Sequence, residues 1–429
     1  MRAWAVGLAS AALLATGCGG AGPSADAATS SGASATSSAS TGTTSSSTTS
    51  TTSATTSTTS TTSTTSTTSP TTTTSATRAT ATAATTCVDR TLAGLSPTAR
   101  AGQILLVGVD ATNPLPDAAK LAALHVGGIF LRGRVAGSAT LKSRIATAQR
   151  YARADRTLPL FVSADEEGGL VQTIRGGTVP PFAAALVQGG WSTSTLRART
   201  TTWATQIAAL GVNLDLAPVA DTVPASLGTA NPPIGRYQRE YGMTPAAVGR
   251  AIGVVVPALT KAGVGATVKH FPGLGRVRYN TDTSAKAVDA TTTATDPYLQ
   301  PFVTGMKAGA LAVMVSSARY PKLDATDPAM WSSKIVTGLL RGKLGWSGLV
   351  ISDDLGQAVA ASSLSVPSRA TAFLRAGGDL VLTVQPSQAA TMRATVARAA
   401  STHASWRRIV DTAARRVISA KVVLGLVRC

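Results

Sequence analysis

The sequence is poor in aromatics, histidine, cysteine and acid. Only 4% of its 429 residues are Phe, Trp or Tyr, and it holds three histidines and three cysteines. So few cysteines exclude a disulfide-dense miniprotein and a cysteine-rich metal scaffold. The histidines, His125, His270 and His403, lie far apart and show no metal-ligand spacing, so no metal and no other cofactor is expected. Neither a Walker-type nor a dinucleotide-type glycine fingerprint occurs, and no nucleophile elbow for Ser-His-Asp hydrolysis. Past the N-terminus no apolar run approaches the ~18 residues of a membrane span. Acidic residues number 20 against 39 basic ones, a net charge of +19. That excess fits an anionic setting such as wall polymers or lipid headgroups. No aromatic-basic recognition motif accompanies it, so no nucleic-acid partner is expected.

What is present divides into three regions. Met1–Cys18 has one charge, Arg2, then an apolar stretch from Ala3 to Ala15 and small residues, the pattern of a secretory signal. Ala15-Thr16-Gly17-Cys18 resembles a bacterial lipobox whose usual leucine stands one place early, at Leu14. Cys18 is therefore the candidate lipidation site and membrane anchor, with simple secretion as the alternative. Residues 19–86 are almost wholly Ser, Thr, Ala and Gly, and Asp26 and Arg78 are their only charges. Such a tract cannot bury enough apolar area to offset its ordering entropy, so it is expected to be a disordered stalk. Ordered sequence is expected from Cys87 to Cys429, two cysteines that bracket the domain and form a candidate disulfide in an exported protein.

Eight short apolar runs punctuate that domain. They are Gln103–Val109, Val126–Leu131, Leu158–Ala164, Val212–Pro218, Gly265–His270, Leu311–Ser317, Gly348–Ser352 and Leu380–Val384. Several are continuous rather than alternating, as strands buried on both faces should be. Amphipathic stretches fall between them, among them Ala136–Ala154, Thr195–Ala209, Pro245–Ala262 and Ser333–Leu344. This alternation predicts a single α/β domain, a (β/α)8 barrel with elaborated loops. An open doubly wound sheet is the alternative, but it would gather its polar residues at one switch point.

Polar residues instead follow several runs. The third ends in Asp165-Glu166-Glu167-Gly168-Gly169, and the fourth leads to Asp221. Lys269-His270-Phe271-Pro272-Gly273 closes the fifth, and Ser352-Asp353-Asp354 the seventh. A barrel places its site on this carboxyl-end rim, so Asp165 and Asp353 read as functional. Glu166 and Glu167 read equally well as surface or capping charges, and Asp215, inside the fourth run, as a buried structural acid. Carboxylates beside cations and an imidazole suit sugar cleavage. One carboxylate can attack an anomeric carbon while a second group protonates the leaving oxygen.

The motifs also carry a resemblance. Asp165-Glu-Glu-Gly-Gly-Leu-Val-Gln172 resembles D-x-E-G-G-x-V-Q, and Asn213-Leu-Asp-Leu-Ala-Pro-Val-Ala-Asp221 resembles N-x-D-x-A-P-V-x-D. Lys269-His-Phe-Pro-Gly-Leu-Gly275 is similar to K-H-F-P-G-x-G, Ile351-Ser-Asp-Asp-Leu355 to an S-D-D-L segment, and Ala376-Gly-Gly-Asp-Leu380 to A-G-x-D-M. In this order they resemble glycoside hydrolase family 3, in its NagZ-type β-N-acetylglucosaminidase branch and in the form of an actinobacterial-type lipoprotein. The resemblance implies that Asp353 is the nucleophile of a retaining mechanism, and that Asp165, Lys269 and His270 bind the sugar. The family's I-G-x-R-S-F-G corresponds to Ile234–Gly242, where Arg239 is the better match to the substrate arginine and Arg236 the other candidate.

One departure matters. NagZ-type enzymes carry an Asp-Ser-His segment whose Asp and His form the acid/base pair. Here Asn280-Thr-Asp-Thr-Ser-Ala285 matches the Asp with Asp282 but sets Ser284 where the His belongs. A serine is no proton donor at neutral pH, so Asp282 becomes the candidate acid/base. The resemblance thus implies an exported, monomeric β-N-acetylhexosaminidase that removes GlcNAc from peptidoglycan fragments or related glycans. The alternatives are a catalytically impaired sugar-binding envelope lipoprotein and a variant that uses phosphate in place of water.

Overall fold

A computed structural model describes residues 86–428. The expected signal, the lipobox Cys18, the stalk up to residue 85 and Cys429 lie outside the described residues. Cys87 is buried and disulfide-bonded; the partner expected for it, Cys429, is among those outside.

Eight parallel strands are ordered along the chain: β1 Leu105–Asp110, β2 Gly128–Arg132, β3 Phe161–Ala164, β4 Leu214–Asp215, β5 Gly265–Phe271, β6 Ala312–Val315, β7 Leu349–Ser352 and β8 Val381–Thr383. Their spatial order is β7-β6-β5-β4-β3-β2-β1-β8. A parallel bridge between Ile351 of β7 and Leu380, which leads into β8, joins the two ends of that series. Ser352 N donates to Leu380 O across the same seam at 3.0 Å. The sheet is therefore a (β/α)8 barrel, and closure rules out the open-sheet alternative.

The strands read as continuous apolar runs because both of their faces are buried. Leu106, Phe130, Phe161, Leu214, Met314, Ile351 and Leu382 form the cluster inside the barrel. Their strand neighbours Leu105, Val107, Ile129, Leu131, Val162, Val313 and Val350 belong to the larger cluster under the helices. Each such side chain contributes about 1.5–3 kcal/mol on burial. At the amino ends of the strands the last helix, Ala404–Val423, adds Val417 and Ala420 to the inner cluster. Lys421 of that helix is fully buried, and its Nζ donates to Gln103 Oε1 at 2.6 Å.

Helices start where the sequence offers a cap. Ser138, Ser192 and Thr244 accept from the backbone N–H of Leu141, Thr195 and Ala247, which opens the helices Ala139–Ala154, Thr193–Leu210 and Pro245–Lys261. Each cap is worth about 1 kcal/mol. Several expected bounds shift, with β3 beginning at Phe161 rather than Leu158 and β6 spanning Ala312–Val315 rather than Leu311–Ser317, and two elements differ more. The fourth run is a regular strand only over Leu214–Asp215, not to Pro218. Beyond it the ladder is irregular, with Thr267 and Lys269 N–H donating to Ala217 O and Pro218 O, a proline with no N–H to return, and a bridge between Val219 and Lys269. The stretch expected as an ordinary helix over Ser333–Leu344 is a π-helix, Lys334–Lys343.

Candidate active site

The carboxyl ends of the strands surround a cavity of roughly 170 Å³. Asp165 enters it from the end of β3, Lys269 and His270 from β5, and Asp353 from the residue after β7. Arg239 arrives from the long connection after β4, and Asp282 from the loop after β5. All six residues singled out from the sequence thus line one space. Arg236, the other candidate arginine, is exposed and outside it.

Charge pairing fixes the β3–β5 side. Lys269 is buried, with Nζ 2.6 Å from Asp165 Oδ1 and 2.6 Å from Glu167 Oε1. Arg239 grips Glu167 with two bonds, Nε to Oε2 at 2.7 Å and Nη2 to Oε1 at 2.8 Å. Burial would raise the Glu167 carboxyl, but Arg239 and Lys269 outweigh it and hold it at about 2. Burial likewise works against the Lys269 ammonium, yet Asp165 and Glu167 raise it, so it stays charged. Glu167 is therefore no surface charge. It fixes both cations, a role its sequence neighbours did not signal.

The second glutamate faces elsewhere. Glu166 is buried and accepts from Ile174 N at 2.7 Å, while its own N–H donates to Asp215 Oδ1 at 3.1 Å. Burial raises both carboxyls well above the usual range. Asp215 is the buried structural acid that its position inside the fourth run suggested. The glycines that follow are sterically required. Gly168 has φ 93°, and a Cβ there would collide with Ala183 O.

His270 is oriented by Asp221. Its Nδ1 stands 2.7 Å from Asp221 Oδ2, while Oδ1 of the same carboxylate accepts from the N–H groups of His270 and Leu274 at 3.2 and 2.8 Å. The carboxylate accepts only, so Nδ1 carries the proton and Nε2 is left toward Arg239 Nη2, 3.4 Å away. Sequence reasoning placed Asp221 at a strand end without this role.

The two aspartates after β7 are separated by their partners. Asp354 accepts from Gly356, Gln357, Ala358 and Val384 N–H at 2.7–3.1 Å, so it shapes the loop. Asp353 accepts one bond at Oδ1 from Asp354 N at 2.9 Å, and Oδ2 has only the Ser317 hydroxyl, 3.5 Å away. Burial raises the Asp353 carboxyl to about 6, with His270 pulling it down and Asp282 pushing it up.

Asp282 lines the cavity but is exposed. Its loop is tied to the loop after β7, where Val359 N donates to Asp282 O and Ala360 N to Thr281 O, both at 3.1 Å. The Ser284 hydroxyl accepts from Lys286 N at 3.1 Å and so closes its own turn rather than lining the cavity.

A closed parallel barrel whose mouth gathers carboxylates, a lysine and an arginine round one small cavity has the parts of a barrel glycoside hydrolase. More narrowly, the chain belongs to glycosyl hydrolase family 3, whose N-terminal domain model matches residues 99–420. It is 35% identical over 291 residues to a β-hexosaminidase of Xanthomonas oryzae pv. oryzae, covering 66% of this chain and 84% of that protein. The crystal structure of a β-N-acetylhexosaminidase from Beutenbergia cavernae matches with TM-score 0.75 at 41% identity, over 76% of this chain and 99% of that one. A family 3 β-N-acetylglucosaminidase from Paenibacillus matches with TM-score 0.70 at 26% identity, over 78% of this chain and 64% of that one. The chain is thus a glycoside hydrolase of the NagZ-type β-N-acetylhexosaminidase kind, acting on carbohydrate.

Proposed function

We propose that the protein is an exported, membrane-tethered retaining β-N-acetylhexosaminidase that removes terminal GlcNAc from peptidoglycan fragments or related glycans. The observation that carries this reading is that Asp353 and Asp282 line one cavity together with Lys269 and Arg239. In it, Asp353 Oδ2 attacks the anomeric carbon while Asp282 protonates the leaving oxygen. The glycosyl–Asp353 ester is then hydrolysed by a water that gives its proton to Asp282. Asp165, Lys269, Arg239 and the Nε2 of His270 hold the ring hydroxyls and the acetamido group. Export and tethering rest on Met1–Cys18, and the wall substrate on that location together with the net charge of +19.

A second reading has its own support. Ser284 is turned into its loop and Asp282 is exposed, an arrangement that suits glycosides whose leaving group needs little protonation. The test compares an aryl β-N-acetylglucosaminide with a GlcNAc–MurNAc disaccharide, each with and without phosphate, beside Asp353→Asn. Turnover of both that vanishes in the variant supports the hydrolase with Asp282 as acid. Cleavage of the aryl glycoside alone means that protonation is lost, and sugar binding without turnover replaces the enzyme by a binding lipoprotein. Acceleration by phosphate with release of a sugar phosphate makes it a phosphorylase.

A further inference from the structure

The cavity has a second compartment. Phe130 and Asp165 line both the space described above and an adjoining one of about 310 Å³, walled by Arg132, Arg134, Leu170 and Thr173. Phe130 belongs to the cluster inside the barrel, so the two-residue period of β2 turns Arg132 to the same side, one layer nearer the mouth. Gly108 on β1 makes room for it, since a Cβ there would stand 2.7 Å from Arg132 Cδ.

Neither cation is neutralised by a contact ion pair among the described residues, although Asp110 lies near enough to attract Arg132. Arg132 Nε is buried with no hydrogen-bond partner, and among the described residues neither Arg132 nor Arg134 forms an ion pair. Asp110, the register neighbour of Arg132, directs Oδ1 to Thr112 N and Oγ1 at 2.8 and 2.7 Å. Arg134 uses one nitrogen, Nη2, on Leu170 O at 3.0 Å. The acid that borders the compartment, Asp165, is held by Lys269. An unpaired guanidinium fork presents the geometry that binds a phosphoryl group with two parallel bonds.

Position says which part of the sugar reaches it. β3 and β7 lie opposite each other in the closed ring, so the compartment on the β2–β3 side faces Asp353 across the mouth. With the anomeric carbon at Asp353, the ring edge turned to the compartment carries C4 and C6. Resting on the hydrolase reading above, we propose that Arg132 and Arg134 bind a phosphate ester carried on the C4 or C6 oxygen of the terminal N-acetylhexosamine.

The test uses the full chain with an aryl β-N-acetylglucosaminide, its 4- and 6-phosphates, and the methyl diesters of both. One phosphate form should be cleaved with kcat/KM at least about tenfold above the parent, an advantage that shrinks with salt. Arg132→Gln and, separately, Arg134→Ala should each reduce that preference and leave the parent's turnover within about twofold. Equal use of the diester supports a polymer-borne phosphate as the source, and a monoester preference a free phosphosugar. Phosphates cleaved no better than the parent, or a preference that survives both substitutions, overturn the compartment. If neither the parent nor any phosphate form is cleaved, the hydrolase reading fails and calorimetry decides. GlcNAc 4- and 6-phosphates that bind no tighter than GlcNAc, or equally to Arg132→Gln, overturn the proposal.

Discussion

Asp353 sets the response of the proposed reaction to pH. The attacking carboxylate must be ionised, and burial raises it to about 6. For an aryl glycoside that needs no protonation, kcat/KM should therefore fall about tenfold per unit below pH 6 and level off above it. Asp282 is one of the charges that raises it, so Asp282→Asn should move this acid limb to lower pH. The same variant should slow the GlcNAc–MurNAc disaccharide by about 10²–10⁴-fold while sparing activated aryl glycosides, which steady-state rates on both would show. An unmoved limb would remove Asp282 from the neighbourhood of the nucleophile. Asp353, Asp165, Lys269 and His270 were legible because each breaks an apolar run at a strand end. Glu166 and Glu167 were not separable, since adjacent identical residues differ only in where they point. One meets Lys269 and Arg239, the other Ile174 N and Asp215.

Among the elements, the strands were readable because barrel strands are apolar on both faces, and the helices because amphipathic stretches separate them; the Ser and Thr caps that set their starts were not read. β4 was drawn too long, because an apolar run does not show where the ladder becomes irregular. The π-helix Lys334–Lys343 was not readable, because its apolar residues also satisfy ordinary helical spacing. Its anchor is tertiary. Asp379, fully buried, accepts from Arg341 Nη2 at 2.6 Å, Arg416 Nη1 at 2.9 Å and Val350 N at 2.9 Å. This carboxylate joins the π-helix, the entry to β8 and the last helix, which explains an aspartate in the Ala376–Leu380 motif outside the cavity. Asp379→Ala leaves a partly buried arginine uncompensated and should cost about 3–5 kcal/mol, read as a lower urea midpoint.

For the molecule as a whole, the barrel was legible from polar residues that follow several of the eight runs, whereas the buried cation under it was not, because Lys421 sits in an ordinary helical pattern. Burial lowers its ammonium to about 7 from an ordinary value of 10.5. The fold thus disfavours the charged form, a penalty fully present below pH 7. As pH rises from 7 to 10.5 the unfolded chain binds more protons than the folded one, so stability should increase by about 1.4 kcal/mol per unit at most. Urea unfolding at pH 6, 8 and 10 measures this, and Lys421→Met should flatten the slope. A wild-type slope already flat would mean that Gln103 and the Phe161 ring, 5.3 Å from Nζ, keep the ammonium charged.

The Ser284 hydroxyl, bonded within its own turn, has a consequence for ancestry. The Ser284 side chain contributes one bond, from Lys286 N, and the backbone ties at Val359 and Ala360 run to Asp282 and Thr281 and do not use residue 284. Rate and foldability are therefore inherited separately at this point. A lineage can drift between fast and slow cleavage without crossing an unfolded intermediate, and Ser284→His should retrace that path with an unchanged melting temperature.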